Sequence, residues 1–238
     1  MPELLSDSLT GLLVPALVSA LVPLALTLKV ALTATAGACA LGVGAGYALS
    51  RRGLPGRDFL DAVCTLPLVL PPTVIGYYLL VLFGRRGVLG QWLQQTFGVS
   101  LVFTWQGAAL AACVVAFPLV CKGARTAFEG VDQNLEHAAR SLGAGECSVF
   151  VRVSLPLAWR GVLSGAMLAL ARAMGEFGAT LMLAGNLPGR TQTLSLAIYD
   201  AAQAGRDNEA MFLVVLTSGV CVLLLLASGK FLKLSPTT

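Results

Sequence analysis

The 238-residue chain is 56% hydrophobic and 12% charged, against roughly 45–50% and about 25% in soluble globular domains, so a water-soluble enzyme or binding module is excluded. Several apolar runs reach the ~20 residues that cross a hydrocarbon core, which predicts an all-α polytopic bundle rather than a barrel of short alternating strands. The net charge of +4 is too small to point to nucleic acid, one histidine excludes a His-based metal site, and six scattered cysteines without metal spacing are packing residues, so neither metal nor cofactor is expected.

Residues 1–10 carry Glu3 and Asp7 but no Lys or Arg, and a cleaved secretory signal is not expected without a basic segment. Across residues 11–49 the only charge is Lys29, close enough to a span end to snorkel to the interface. Pro15 and Pro23 are read as breaks, giving an interfacial lead-in at 1–22 and a first span at 24–49; the alternative is a further membrane helix within the lead-in. Gly42, Gly44 and Gly46 lie inside this span, not between a strand and a helix, and are read as a close-packing face rather than a nucleotide fingerprint.

A charged loop at 51–58 leads to a second apolar block, 59–83, which contains Pro67, Pro71 and Pro72. Prolines kink a span, and a bilayer tolerates this where neighbours or a water-lined cavity satisfy the freed carbonyls. Two readings stand: a broken helix in a pathway, or a static kink that aids packing. Residues 88–100 read as an external connection with Trp92 at interfacial depth. A third span at 101–121, a long polar region at 122–155 and a Gly- and Ala-rich fourth span at 158–184 follow. A polar loop with a short helix at 194–202 precedes the fifth span, 210–228. Five core spans result, six if the lead-in holds one, with a single membrane domain at 23–234 and a tail at 235–238.

Charge sets the orientation. Ten cations, Arg51, Arg52, Arg57, Lys122, Arg125, Arg140, Arg152, Arg160, Lys230 and Lys233, share one side, against four on the other, Arg85, Arg86, Arg190 and Arg206. The positive-inside rule places 122–156 in the cytoplasm and the N-terminus outside. Within that region Asp132 is a candidate N-cap, Leu135, Ala138, Ala139 and Leu142 recur at helical spacing, and Gly143 stands where a left-handed residue ends a helix. A second apolar stripe, Val149, Phe150 and Val153, precedes Leu155-Pro156. The pattern fits either two short helices forming a projecting knob or an amphipathic loop lying on headgroups.

The order Ala138-Ala139-x3-Gly143-x9-Val153-x-Leu155-Pro156 resembles the cytoplasmic EAA motif of ABC-importer permeases. The motif's leading Glu falls on His137, with Glu136 one residue earlier. The stretches Pro67-Leu-Val-Leu-Pro71-Pro72-Thr-Val-Ile-Gly-Tyr77, Gly84-Arg-Arg-Gly87, Leu135-Glu-His-Ala-Ala-Arg-Ser-Leu-Gly143 and Gly175-Glu-Phe-Gly-Ala-Thr180 narrow the resemblance to the permeases of molybdate ABC transporters, with sulfate and tungstate permeases as near relatives. The resemblance implies the type I ABC importer permease fold in the cytoplasmic (inner) membrane and a coupling helix at about 135–153 that enters a groove on an ATPase subunit. It also implies two cytoplasmic ATPase subunits, an extracytoplasmic oxyanion-binding protein and a permease homodimer surrounded by lipid. No Gly-x4-Gly-Lys-Ser/Thr loop occurs, so ATP hydrolysis is expected on the partner and no catalytic residue on this chain. A channel without an energy source and a membrane enzyme are the rivals; the second lacks a His or carboxylate cluster.

Arg172 and Glu176 stand four apart in the fourth span, on a stripe with Gly161, Gly165 and Ala169. An Arg at the centre of a membrane helix costs about 2.5–3.5 kcal/mol on insertion scales, so it must face protein or water, while small residues let another backbone approach. Either the pair fixes helix packing, or Arg172 lines the path of a doubly charged anion and Glu176 holds it.

Overall fold

Long apolar runs interrupted by short charged loops fold here into helices throughout. The computed structural model describes residues 2–233 apart from 52 and 54, with side chains from 20 to 226; Arg52, the side chains of Lys230 and Lys233 and the tail at 235–238 lie outside the described residues. The first element, α1 (Pro2–Ser50), corrects the expected breaks, because it passes through both Pro15 and Pro23. A proline deletes one ladder bond, and without competing water the remaining bonds carry the helix on. Among its residues with described side chains, Ala20–Ser50 is long and apolar enough to cross a membrane. The Thr27 hydroxyl donates to the Pro23 carbonyl at 2.8 Å and accepts the Leu194 N–H at 2.8 Å, pinning α1 to the start of a helix 167 residues away, Leu194–Gln203.

The core is a three-helix contact of α1, α5 (Trp105–Glu129) and α8 (Leu155–Met174), filled by Ala31, Ala34, Ala108, Ala112, Ala116 and Ala169. Small residues suit this contact because helices in lipid gain stability from close packing rather than from leaving water. A Cβ on Gly46 would stand 2.7 Å from the Cys121 carbonyl oxygen, and one on Gly123 would stand 2.9 Å from Gly165 Cα. Gly42 and Gly46 of the first span and the Gly161–Gly165 stripe of the fourth therefore meet the same helix, α5, while Gly44 of the expected packing face meets nothing. That helix starts at Trp105 behind a Thr104 N-cap that accepts the Gly107 N–H, and it runs two turns beyond the expected end at 121.

Two expected spans are broken. The block at 59–83 is α2 (Arg57–Val69) and α3 (Pro72–Phe83), which meet at 108°. Leu70 and Pro71 are extended, and Pro72 opens α3; Pro67, by contrast, is accommodated inside α2. The fourth span ends at Met174 and restarts as α9 (Gly178–Ala184) after a non-helical Gly175–Phe177 segment, so the expected continuous helix over 158–184 is corrected. Gly175 ends the first half, and Glu176 caps the second.

The remaining elements are the exposed α4 (Val88–Phe97), α6 (Gln133–Ser141), α7 (Glu146–Val149), α10 (Leu194–Gln203) and α11 (Asp207–Lys233). Lys29 stands over the Trp105 ring, with Nζ 3.7 Å from its centroid. Among the described residues four helical stretches are long and apolar enough to cross a membrane, Ala20–Ser50, Trp105–Glu129, Glu146–Met174 and Asp207–Leu226, and the count is five where the bent α2–α3 pair is taken as one span.

Candidate functional site

The polar region between the third and fourth spans folds around α6. Asp132 accepts the Asn134 N–H at 2.9 Å and caps the first turn. At the other end the Gly143 N–H donates to the Arg140 carbonyl, and the Ala144 N–H reaches the Ala139 carbonyl. Gly143 has φ +86°, so this is a Schellman end, with glycine at the left-handed position expected of it. The second half of the expected knob is corrected: Val149, Phe150 and Val153 belong to no separate short helix. They lie in α7 and a π-helical turn, Phe150–Ser154, that runs directly into α8. The Leu155-Pro156 pair opens α8: the Leu155 N–H bonds to the Phe150 carbonyl five residues back, and Pro156, with no N–H, offers no bond to the π-turn behind it.

The sequence-predicted residues separate into two sets. Leu135, His137, Ala138, Leu142, Gly143 and Pro156 are exposed, Leu142 at 88%, and Ala139 is half-buried. Val149 is fully buried, and Phe150 and Val153 are half-buried; Phe150 packs on Tyr47 of α1 and Phe128 of α5, with ring centroids 4.6 and 5.8 Å apart. The exposed set gives α6 an apolar outer face, and the inner set roots it in three helices.

Glu136, at 4% exposure, is the one buried residue of α6. Its Oε1 accepts from Ser154 Oγ at 2.6 Å and Arg51 Nη2 at 2.9 Å; its Oε2 pairs with Arg51 Nη1 and lies 3.5 Å from Arg140 Nη2. Arg140 also binds Glu146 at 2.6 Å. Burial raises the pKa of Glu136, but the hydrogen bonds from Arg51 and Ser154 and the charges of Arg51 and Arg140 outweigh it and hold the carboxyl below its ordinary value. Beside this cluster the ion pairs Arg57–Glu129, Arg125–Asp61 at 2.8 Å and Arg125–Glu129 at 3.0 Å fasten the start of α2 to the end of α5. A polar cavity of about 190 Å³ separates the two clusters, lined by Ser50, Arg51, Arg57, Glu129, Gln133 and Glu136.

About 25 Å along α8 from its start, Arg172 and Glu176 form the second constellation. Glu176, past the helix end, accepts the Ala179 N–H on Oε1 at 2.9 Å and so caps α9. Its Oε2 lies 2.8 Å from Arg172 Nη1, in a charge contact not aligned as a hydrogen bond. The glutamate side chain is 1% exposed and the arginine 32%. The two breaks meet here: a Cβ on Gly178 would stand 3.1 Å from Pro72 Cβ, and one on Gly76 would stand 2.8 Å from Ala179 Cα. The fold thus brings Pro71, Pro72, Arg172 and Glu176 into one region, and leaves Pro67 inside α2. The neighbouring Thr180 hydroxyl is buried and makes no hydrogen bond to any described residue.

The chain matches the model of the binding-protein-dependent transport system inner membrane component over residues 38–233. It belongs to this family. The molybdenum transport system permease protein ModB of Escherichia coli strain K12 is 44% identical over 211 residues, covering 88% of this chain and 92% of that one. The putative molybdenum transport system permease protein YvgM of Bacillus subtilis is 45% identical over 193 residues, covering 81% and 85%. The chloroplastic sulfate permease 2 of Chlamydomonas reinhardtii is 39% identical over 181 residues, 76% of this chain and 49% of that one. The fold is that of ABC importer permeases: a chain of the MetNI methionine ABC transporter, in an inward-facing conformation, superposes with a TM-score of 0.71 at 17% identity, covering 92% and 97%. A chain of an amino acid ABC transporter gives 0.59 at 18%, covering 94% of each.

Sequence reasoning missed the permease residues that hold α6 in place: Arg51, Ser154, Tyr47 and Phe128. Arg140 carried a signal, four residues after Glu136 on the same helix. Arg51 carried none, because 85 residues separate it from its partner.

Proposed function

We propose that this chain is the permease subunit of an ABC importer that carries molybdate into the cytoplasm across the bacterial inner membrane. The observation that carries the reading is the 44% identity to ModB across 92% of that protein. The permease works as a homodimer with two ATPase subunits, and an extracytoplasmic binding protein delivers the anion; one five-span unit makes a poor closed pathway, and a symmetric pair matches paired ATPases.

In this mechanism the apolar outer face of α6, with Leu135, Ala138 and Leu142, enters a groove on the ATPase. ATP closes the ATPase dimer, α6 moves with it, and the motion reaches α8 through the continuous α7–π–α8 segment. Its far end is the break at Gly175–Phe177, seated on the break at Pro71–Pro72. Broken helices at membrane depth are tolerated where they line a cavity or pack within protein, and transporters place substrate sites at such breaks. Arg172, partly exposed beside buried Glu176, lowers the electrostatic barrier to a divalent anion without holding it, since the carboxylate offsets its charge. Outward and inward states must lie within a few kcal/mol of each other for the ATPase to switch them.

The test is the complex reconstituted in proteoliposomes with its ATPase and binding protein, with ATP hydrolysis compared for molybdate, tungstate and sulfate. Stimulation by molybdate at the lowest concentration is expected; stimulation by sulfate alone would reassign the substrate. Sulfate is the second reading, favoured by the 39% match to a sulfate permease.

A further inference from the structure

The docking helix is attached to the rest of the chain by charge rather than by apolar packing of its own. Buried apolar residues flank it, Val131 before and Val149 after, yet none belongs to α6 itself. What holds α6 down is one carboxylate, that of Glu136. Both its oxygens are occupied, by Arg140 of α6 itself and by two groups from outside α6, one just past α1 and one at the start of the fourth span. Arg51 stands immediately beyond α1 and is itself steadied by the Tyr47 ring, 4.3 Å from the guanidinium carbon. Ser154, fully buried, closes the π-helical turn that opens the fourth span. A cavity of about 190 Å³ lies on the Gln133 side of Glu136, so close packing does not fill that side of α6. A π-turn is a high-energy element that persists where a specific contact supports it, and the Ser154 hydroxyl, 2.6 Å from Glu136, is such a contact.

We propose that Glu136 is a positioning residue for energy coupling. By gripping Arg51 and Ser154 at once, it makes α6 a single body with α1 and α8, so that motion imposed on α6 is delivered to two spans instead of being lost in a swivel of α6 about its ends. The inference rests on α6 being the ATPase-docking helix. Coupling of this kind travels through contiguous contacts with discrete arrangements, and altering one of them changes it by a few-fold to about thirtyfold. The charges balance within the cluster, with Arg51 against Glu136 and Arg140 against Glu146, so exchanging one pair of charges leaves the total unchanged.

The experiment measures anion uptake and ATP hydrolysis together in proteoliposomes holding the full complex, for wild type, Glu136→Gln, Arg51→Ala and the exchange Glu136→Arg with Arg51→Glu. Glu136→Gln and Arg51→Ala are expected to assemble with the ATPase and hydrolyse ATP, with anion transported per ATP lower by roughly fivefold or more; the charge exchange recovers much of it. A second readout is independent of transport. Spin labels are placed at Ser141→Cys on α6 and Leu41→Cys on α1, both exposed positions, in a background without other cysteines. The distance distribution between them is expected to be narrow when Glu136 is present and broad in the Glu136→Gln variant. An unchanged uptake-to-hydrolysis ratio together with an unchanged distribution overturns the proposal. So does a loss of uptake strictly proportional to loss of assembled complex, because that marks a role in folding only. A wild-type complex that assembles but never links hydrolysis to uptake sinks the importer reading instead, while the distance distributions still judge the clasp.

Discussion

Glu136 and Glu176 are both buried carboxylates beside an arginine, and they are built differently. Glu136 has both oxygens engaged, by Arg51, Arg140 and Ser154, in contacts that join α6 to α1 and to the start of the fourth span. Glu176 uses one oxygen to cap α9 and meets Arg172 with the other in a contact without hydrogen-bond alignment. The two arginines are about equally exposed, Arg51 at 34% and Arg172 at 32%, so the difference lies in the bonds: Glu136 is fastened through both oxygens, whereas Glu176 meets its arginine by charge alone. In the proposed mechanism the first is the stiff link on which the ATPase acts and the second a loosely held charge beside the path of the anion.

The largest effect is expected at the end of the stiff region. Gly143→Pro demands φ near −65° where the backbone has +86° and removes the N–H that binds the Arg140 carbonyl, a cost of about 3 kcal/mol or more. The protein should still insert, but α6 loses its end and uptake by the reconstituted complex falls to background; normal uptake would contradict the docking role of α6. Next comes Glu136→Ala, which strands Arg51 and Ser154 and should destabilise the seating of α6 by about 3 kcal/mol, the low end for a buried pair because Arg51 is 34% exposed. Thermal unfolding in detergent reads this directly, and a shift no larger than that of a surface mutant would remove the clasp.

In the loose region the expected cost is smaller. Glu176→Gln keeps an acceptor for the Ala179 N–H and loses the charge at a helix start, about 0.5–1 kcal/mol, so the fold should hold while transport changes through Arg172. Arg172→Lys separates the two readings of that pair: wild-type assembly with reduced transport supports a path-lining guanidinium, whereas undiminished transport leaves only packing. The smallest effect is that of pH. Because the Glu136 pKa is lowered in the folded protein, its stabilisation is complete above the ordinary glutamate value and is lost as pH falls through the depressed one. Melting temperature should therefore drop on acidification below that ordinary value, less steeply in Glu136→Gln; parallel profiles would contradict the assignment.

How much of this was legible in the sequence depended on range. Local rules found the left-handed Gly143, the Asp132 cap, the short helix that starts at Leu194 and the membrane spans, because each is set by neighbours within a turn or two. The Pro71–Pro72 break was visible for the same reason, but not its angle or the second break it rests on. Pro15 and Pro23 misled, since a proline signals a break only when nothing around the helix restores it. Counting apolar residues also concealed the interruption at Gly175–Phe177, because the apolar runs on either side of Glu176 together reach the length of one span. The Glu136 clasp was out of reach: Arg51, Glu136 and Ser154 come from three segments, and only the fold brings them together.

Stiff link and loose charge matter only if motion at α6 drives the anion across, and uptake by the complete complex reads that link directly. Molybdate uptake into proteoliposomes would be measured with wild-type permease and with Gly143→Pro, with and without ATP, alongside hydrolysis. Uptake in the wild type is expected to require ATP, and the variant is expected to show little or none even where hydrolysis continues. Uptake without ATP, or uptake undiminished in the variant, would contradict the coupling of α6 to transport.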